Sequence, residues 1–203
     1  MATEFDGRPT QPNMIERIKS MILKPKDEWS RIDAEPMTPR SILLGWVVPL
    51  AAIGPVAGAI GQLVFGIPVP FAGTIRPGAA AVVSTAITGY ALSILSFFII
   101  SAIINALAPS FGGVKNMTQA MKVAAYSMTA TYVAGIFSLI PALAPIGMLL
   151  SLYGFYLLYL GLPQLMRAPQ EKGVIYTVVV VVSVLVVSFV LGMVALNVGA
   201  AFR

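Results

Sequence analysis

Apolar residues run from Ile42 to Gly66, Ala79 to Ala108, Met121 to Ile140, Pro145 to Gly161 and Val174 to Leu196, with short polar breaks between them. A helix that crosses a bilayer needs about 20 mostly apolar residues, within a range of about 17–25 unless it tilts. The second run is long enough to tilt. The last would cover about 34 Å at a rise of about 1.5 Å per residue. Ahead of the first run, "MIERIKSMILK" places Met14, Ile15, Ile18, Met21 and Ile22 on one helical face, with Arg17, Lys19 and Lys24 towards the other. The pattern predicts an all-α polytopic membrane protein. Residues 1–40 form a polar segment with an amphipathic, interfacial helix at about 14–24. Residues 41–203 form a bundle of five spans (about 42–66, 79–108, 121–140, 145–161 and 174–196).

Composition agrees. Of the 203 residues, 58% are hydrophobic and 10% charged, against about 25% charged in a soluble domain. Fourteen of the 21 charges lie in the first 40 positions. No apolar stretch follows quickly on a charged start, so no cleavable signal is expected and the first span is expected to direct insertion. The distribution of lysine and arginine then sets the orientation. Arg8, Arg17, Lys19, Lys24, Lys26, Arg31 and Arg40, the pair Lys115 and Lys122, and the pair Arg167 and Lys172 fall on one side, and only Arg76 and Arg203 on the other. The amino terminus is expected in the cytoplasm and the carboxyl terminus outside. The basic balance is thus a matter of topology, and no nucleic-acid partner is expected.

Seven acidic residues offset the seven basic ones of the first segment, so it is no polybasic switch. Arg17, Lys19 and Lys24 would meet anionic headgroups, and Trp29 would anchor at the interface. The segment could dock a partner or sense lipid, or merely position the first span, and the last reading is favoured.

The chemistry is sparse. With no cysteine or histidine, thiol nucleophiles, zinc sites and histidine general bases are excluded. No charge falls in the interior of a predicted span. Lys122 comes nearest, at an end from which it can snorkel. Proton relays and aspartyl catalysis both need buried ionisable groups, so neither an enzyme, a cofactor, a metal nor a proton-driven transporter is expected.

Uncharged candidates remain. Pro49 and Pro55 break the first span within "GWVVPLAAIGPVAG". Broken helices serve transport pathways, but Gly54-x-x-x-Gly58 is also a close-packing pattern, and packing is the favoured reading. Asn105 sits near an end of the second span, whose hydroxyls form a stripe. Tyr126 and Tyr132 in the third span and Tyr153, Tyr156 and Tyr159 in the fourth would line a seam between antiparallel neighbours.

Three runs carry a family resemblance: "ILKPKDEWSRIDAEP", "AAYSMTATYVAGIFSLIPAL" and, most specifically, "LYGFYLLYLGLP" at the head of "QLMRAPQEKGVIYTVVVVV". The chain resembles the Yip-domain family, the Ypt-interacting membrane proteins, over about residues 14–196. The resemblance implies five spans with a cytoplasmic amino terminus. Eukaryotic relatives act in vesicle traffic and bind prenylated Rab-type GTPases. This chain has a short tail, lacks a "DLYGP"-like approach to the first span, and looks like the prokaryotic branch, although Ala130 stands where prokaryotic relatives often have proline. A Rab-type GTPase partner is therefore not expected, and a bacterial inner membrane is.

Two functions fit these residues. One is a non-catalytic protein that organises membrane lipids or partner proteins, as a homo-oligomer or with another membrane protein. The alternative is a channel, or a passive carrier or scramblase, for a small ion, a neutral solute or a lipid. The first is favoured.

Overall fold

A computed structural model describes residues 13–69, 71 and 73–201; Arg8 and Arg203 of the charge count lie outside the described residues. The described residues open on a reciprocal cap. The Asn13 side chain accepts from the Glu16 backbone N–H at 2.9 Å, and the Glu16 carboxylate accepts from the Asn13 N–H at 3.3 Å. Helix α1, Met14–Leu23, follows, and Pro25 opens α2, Pro25–Ala34. Proline suits a first helical position because the N–H it lacks would have no partner there.

A second reciprocal cap, between Thr38 and Ser41, starts α3, Pro39–Phe65. Just before Pro49 this helix widens into a π-helical turn, Leu43–Val47, in which the Val48 N–H bonds the Leu43 carbonyl. The extra residue relieves the clash a proline ring makes with the preceding turn. A second interruption falls at Ala52, ahead of Pro55. Neighbours meet the polar atoms of this broken stretch: Tyr90 donates its hydroxyl to the Val48 carbonyl at 3.1 Å, and Trp46 Nε1 donates to Thr129 Oγ1 at 3.1 Å.

A short antiparallel hairpin, β1 (Ile67–Val69) and β2 (Gly73–Ile75), pairs Ile67 with Ile75 and leads into α4, Ala79–Leu107, which tightens into a 3-10 turn to Phe111. Next come α5 (Met117–Ser127), α6 (Thr129–Ala134) and a 3-10 turn, Gly135–Leu139. Helices α7 (Ala144–Leu165) and α8 (Gln170–Ala201) complete the bundle.

Among the described residues, four helices are long and apolar enough to cross a membrane: Pro39–Phe65, Ala79–Phe111, Pro141–Leu165 and Gln170–Val194. The third predicted span, 121–140, is no continuous helix. It is three short pieces, broken at Met128 and again at Gly135. It is also the heart of the fold. Every residue from Ala120 to Ser127 is buried, against α3, α4 and α7. Small residues (Ala120, Ala124, Ala125, Ala130 and Ala134) let those helices close around it. The outer surface is the reverse: only 17% of the apolar window of α8 is buried, and the large apolar residues turned outward are valine, isoleucine, leucine, phenylalanine and methionine. Such a surface needs apolar surroundings, and the molecule is an all-α polytopic membrane protein.

Candidate functional site

Arg17, Glu28, Asp33 and Glu35 of the amino-terminal segment converge on one end of the bundle. Helix α1 turns Arg17 inward, where the residue is 7% exposed. Its Nη2 lies 2.6 Å from Glu35 Oε2, its Nη1 donates to the Tyr126 hydroxyl at 3.1 Å, and its carbon Cζ stands 5.8 Å from the Tyr126 ring centroid. Its Nε pairs with Glu28 Oε1 at 3.3 Å, at an angle that makes no hydrogen bond. Burial pulls the Arg17 pKa down, but Glu35 and Tyr126 outweigh burial and leave it raised. A raised cation contributes its full stability below its usual pKa, so Arg17 stays charged and its contribution holds at every working pH.

Tyr126 is the hub. Trp46 packs on it at 4.7 Å between centroids, and Trp29 meets it edge-on at 6.4 Å. From the same helix, Lys122 donates to the carbonyls of Ile32 at 2.8 Å and Glu35 at 2.7 Å, the free carbonyls at the end of α2. Asp33 receives Arg167 at 3.0 Å and Gln119 Nε2 at 3.2 Å. Trp29 lies so tightly on Gly161 that a Cβ there would stand 2.6 Å from the indole. Further along α7, the Tyr153 hydroxyl donates to the Ile22 carbonyl at 2.9 Å. These contacts hold α1 and α2 on the bundle as one unit.

Two placements expected from the sequence are corrected here. Arg17 and Trp29 are not on the surface. Arg17 is drawn in by two carboxylates and a phenol, and Trp29, fully buried, by the gap at Gly161. Lys19 and Lys24 are exposed. The tyrosines form no single seam either. Tyr126 joins the ion cluster, buried Tyr132 lies 3.6 Å from Met128 Sδ, and Tyr153 holds α1. Tyr156 and Tyr159 are 43% and 42% exposed on the outside of α7.

The glycine face of α3 meets the central segment backbone to backbone. A Cβ on Gly135 would stand 2.7 Å from the Gly54 Cα, and one on Gly58 would touch Ser138 at 3.5 Å. The Ser138 hydroxyl bonds the carbonyls of Gly135 at 2.6 Å and Gly54 at 3.2 Å. Pro55 is half-buried beside this crossing, and Pro49 is exposed. Asn105 lies in α4 with its Oδ1 buried and unpaired.

Sequence reasoning passed over Glu28 and Glu35, and read Lys122 only as a charge able to snorkel from a span end. A lysine amid "AMKVAAYS" was the available signal, although its actual partners, the carbonyls ending α2, lie 87 and 90 residues away. A cavity of 340 Å³ opens beside the cluster, lined by Met14, Arg17, Met37, Ser41, Trp46 and Tyr126. A second, of 240 Å³, lies among α4, α5, α7 and α8, lined by apolar side chains and hydroxyls. Among the described residues no group of histidine, cysteine or carboxylate side chains could hold a metal. The buried charges engage one another, the aromatic hub and backbone carbonyls, so the arrangement forms a clamp.

No curated protein and no solved structure matches the chain. The Yip1 domain matches residues 19–192, a stretch that leaves out Arg17 but takes in its partners Glu28, Glu35 and Tyr126 and nearly all of the bundle. The chain belongs to the Yip1 domain family.

Proposed function

We propose that the protein is a non-catalytic organiser of membrane lipids or of partner membrane proteins, and that it assembles as a homo-oligomer or with another membrane protein. One observation carries this reading. The buried charges hold the amino-terminal segment to the bundle, while α8 offers an almost wholly apolar outer face. Among the described residues that leaves no acid–base pair for catalysis, and it leaves a long face for lipids or other helices. The family membership supports the same reading.

The reading includes five crossings, with the pieces from Met117 to Leu139 acting as the third, in a bacterial inner membrane with the amino terminus in the cytoplasm. The absence of cysteine makes this simple to test. In labelling of single-cysteine variants, Lys24→Cys, Lys115→Cys and Lys172→Cys should react from the cytoplasmic side, and Arg76→Cys and Ala142→Cys from the other. Labelling of positions 115 and 142 from the same side would remove the third crossing.

The function itself is tested in liposomes under a gradient of small ions, with a fluorescent phospholipid in one leaflet. The expected result is neither ion flux nor scrambling, for the native chain and for a Pro49→Ala, Pro55→Ala variant alike. Flux in the native chain that the double substitution abolishes would replace the organiser by a channel or carrier.

A further inference from the structure

The 240 Å³ cavity has a polar handle that the fold itself does not use. Five hydroxyls line it: Ser96 on α4, Ser127 at the end of α5, Thr131 on α6, Ser151 on α7 and Ser188 on α8. Ser151 donates back to the Gly147 carbonyl at 2.8 Å, as membrane hydroxyls commonly do. Ser127 does not: its residue is 5% exposed, and its Oγ is buried without a hydrogen-bond partner. A buried hydroxyl left unpaired costs stability and calls for an explanation. Ser127 stands where the central helix breaks, and Gly154 lets α7 approach it: a Cβ at Gly154 would lie 3.0 Å from the Ser127 carbonyl oxygen and 3.4 Å from Thr131 Oγ1.

The rest of the lining limits the occupant. No charged residue borders the cavity, so an ionised headgroup would be buried without a partner, at high cost. The mouth is also defined. Met148 and Leu152 of α7 and Leu185 of α8 border the cavity and are 71%, 49% and 55% exposed, so it opens sideways between these two apolar helices. At about 30 Å³ for a water-sized group, the space takes about eight such groups. That suits the ester end of a lipid and the start of one chain. A molecule entering there comes from the bilayer, is uncharged and carries oxygen atoms that both accept and donate.

We propose that this cavity binds a neutral glycerolipid of the diacylglycerol type, with its ester or hydroxyl oxygen on Ser127 Oγ and its chains leaving between α7 and α8. The site deepens the organiser reading, on which it rests for the helices' place in a bilayer, and it names the lipid class.

The test uses the full chain in phosphatidylcholine vesicles with a trace of photoactivatable dioleoylglycerol, the diazirine placed close to the ester. A phosphatidylcholine analogue with the same diazirine serves as the control. Cross-links are mapped by mass spectrometry. The glycerolipid should label residues 124–131, 148–158 and 184–188, and unlabelled dioleoylglycerol should compete. Ser127→Ala should cut that labelling at least fivefold, while the thermal midpoint in detergent without added glycerolipid stays level or rises, because an unpaired hydroxyl is gone. Leu185→Trp, which narrows the mouth and leaves Ser127 in place, should cut the labelling equally.

Equal labelling by the phosphatidylcholine probe would mean surrounding lipid only and would overturn the site, as would labelling indifferent to Ser127→Ala. A midpoint that falls together with the labelling would make Ser127 a structural residue and also overturn it. None of these outcomes touches the organiser reading, which falls to flux or scrambling and not to the absence of a lipid preference.

Discussion

Arg17 is the residue on which most of the amino-terminal structure turns. Removing one member of a buried ion cluster leaves the others unpaired, at about 3–5 kcal/mol. Arg17→Ala should therefore lower stability by that order, read as loss of denaturant resistance in detergent. Arg17→Lys should recover little of it, because a point charge cannot reach Glu35, Glu28 and Tyr126 together as the guanidinium fork does. Full recovery by lysine would reduce the cluster to simple charge balance. Gly161→Ala makes a second, independent test. The new methyl would press into Trp29, and overpacking of this kind costs about 1–3 kcal/mol. In a Trp46→Phe background, where Trp29 is the single tryptophan, emission should shift to the red as the indole is forced out. An unshifted spectrum would mean that α2 adjusts without leaving α7. Neither role was legible in the sequence. The 14–24 pattern marked a helix with an apolar and a basic face, and a helix forms over Met14–Leu23, but helical periodicity ranks arginine and lysine alike as polar. What separates Arg17 from Lys19 is contact with Tyr126, 109 residues away.

At the level of elements, the glycines sort into two kinds, and substitution should tell them apart. Gly61 and Gly135 face backbone: a Cβ on Gly61 would stand 2.5 Å from the Ser138 carbonyl oxygen, and one on Gly135 2.7 Å from the Gly54 Cα. Backbone cannot swing aside as a side chain can, so Gly61→Ala and Gly135→Ala should each lower the thermal midpoint clearly, by separating α3 from the central segment. Gly45 and Gly89 have nothing within 4 Å of a Cβ. Alanine at Gly89, inside α4, should stabilise by about 0.5–1 kcal/mol through helix propensity. If all these variants melt together, close approach is not what holds α3. Hydropathy located α3, α4, α7 and α8 well, because each is a long apolar run with one clear break at either end. It gave 145–161 for α7, which runs from Ala144 to Leu165, since Pro163 is accommodated near the helix end. Within 121–140 it did not show the breaks. No proline marks the breaks at Met128 and Gly135, and the second lies at a crossing with Gly54, 81 positions earlier.

On the scale of the whole molecule, the segment before the first crossing is part of the bundle and not an appendage. Its contacts reach α5 at Tyr126 and Lys122, and α7 at Tyr153, Gly161 and Gln164. Deleting residues 1–35 should therefore expose the buried face of α5 and reduce the yield of monodisperse protein, whereas removal of a true surface helix would leave size-exclusion profiles unchanged. The docking arrangement also has a temporal side. Tyr153 is made 131 residues after Ile22. At about 5–20 residues per second, Ile22 and its neighbours wait about 7–26 s on the ribosome before their partner exists. Through that interval Trp29 and Met21 have no place to bury themselves, and Arg17 has only the carboxylates of its own segment. The nascent tail is thus a transient client for whatever shields apolar segments during insertion, and its final seat closes only when the penultimate helix has been delivered.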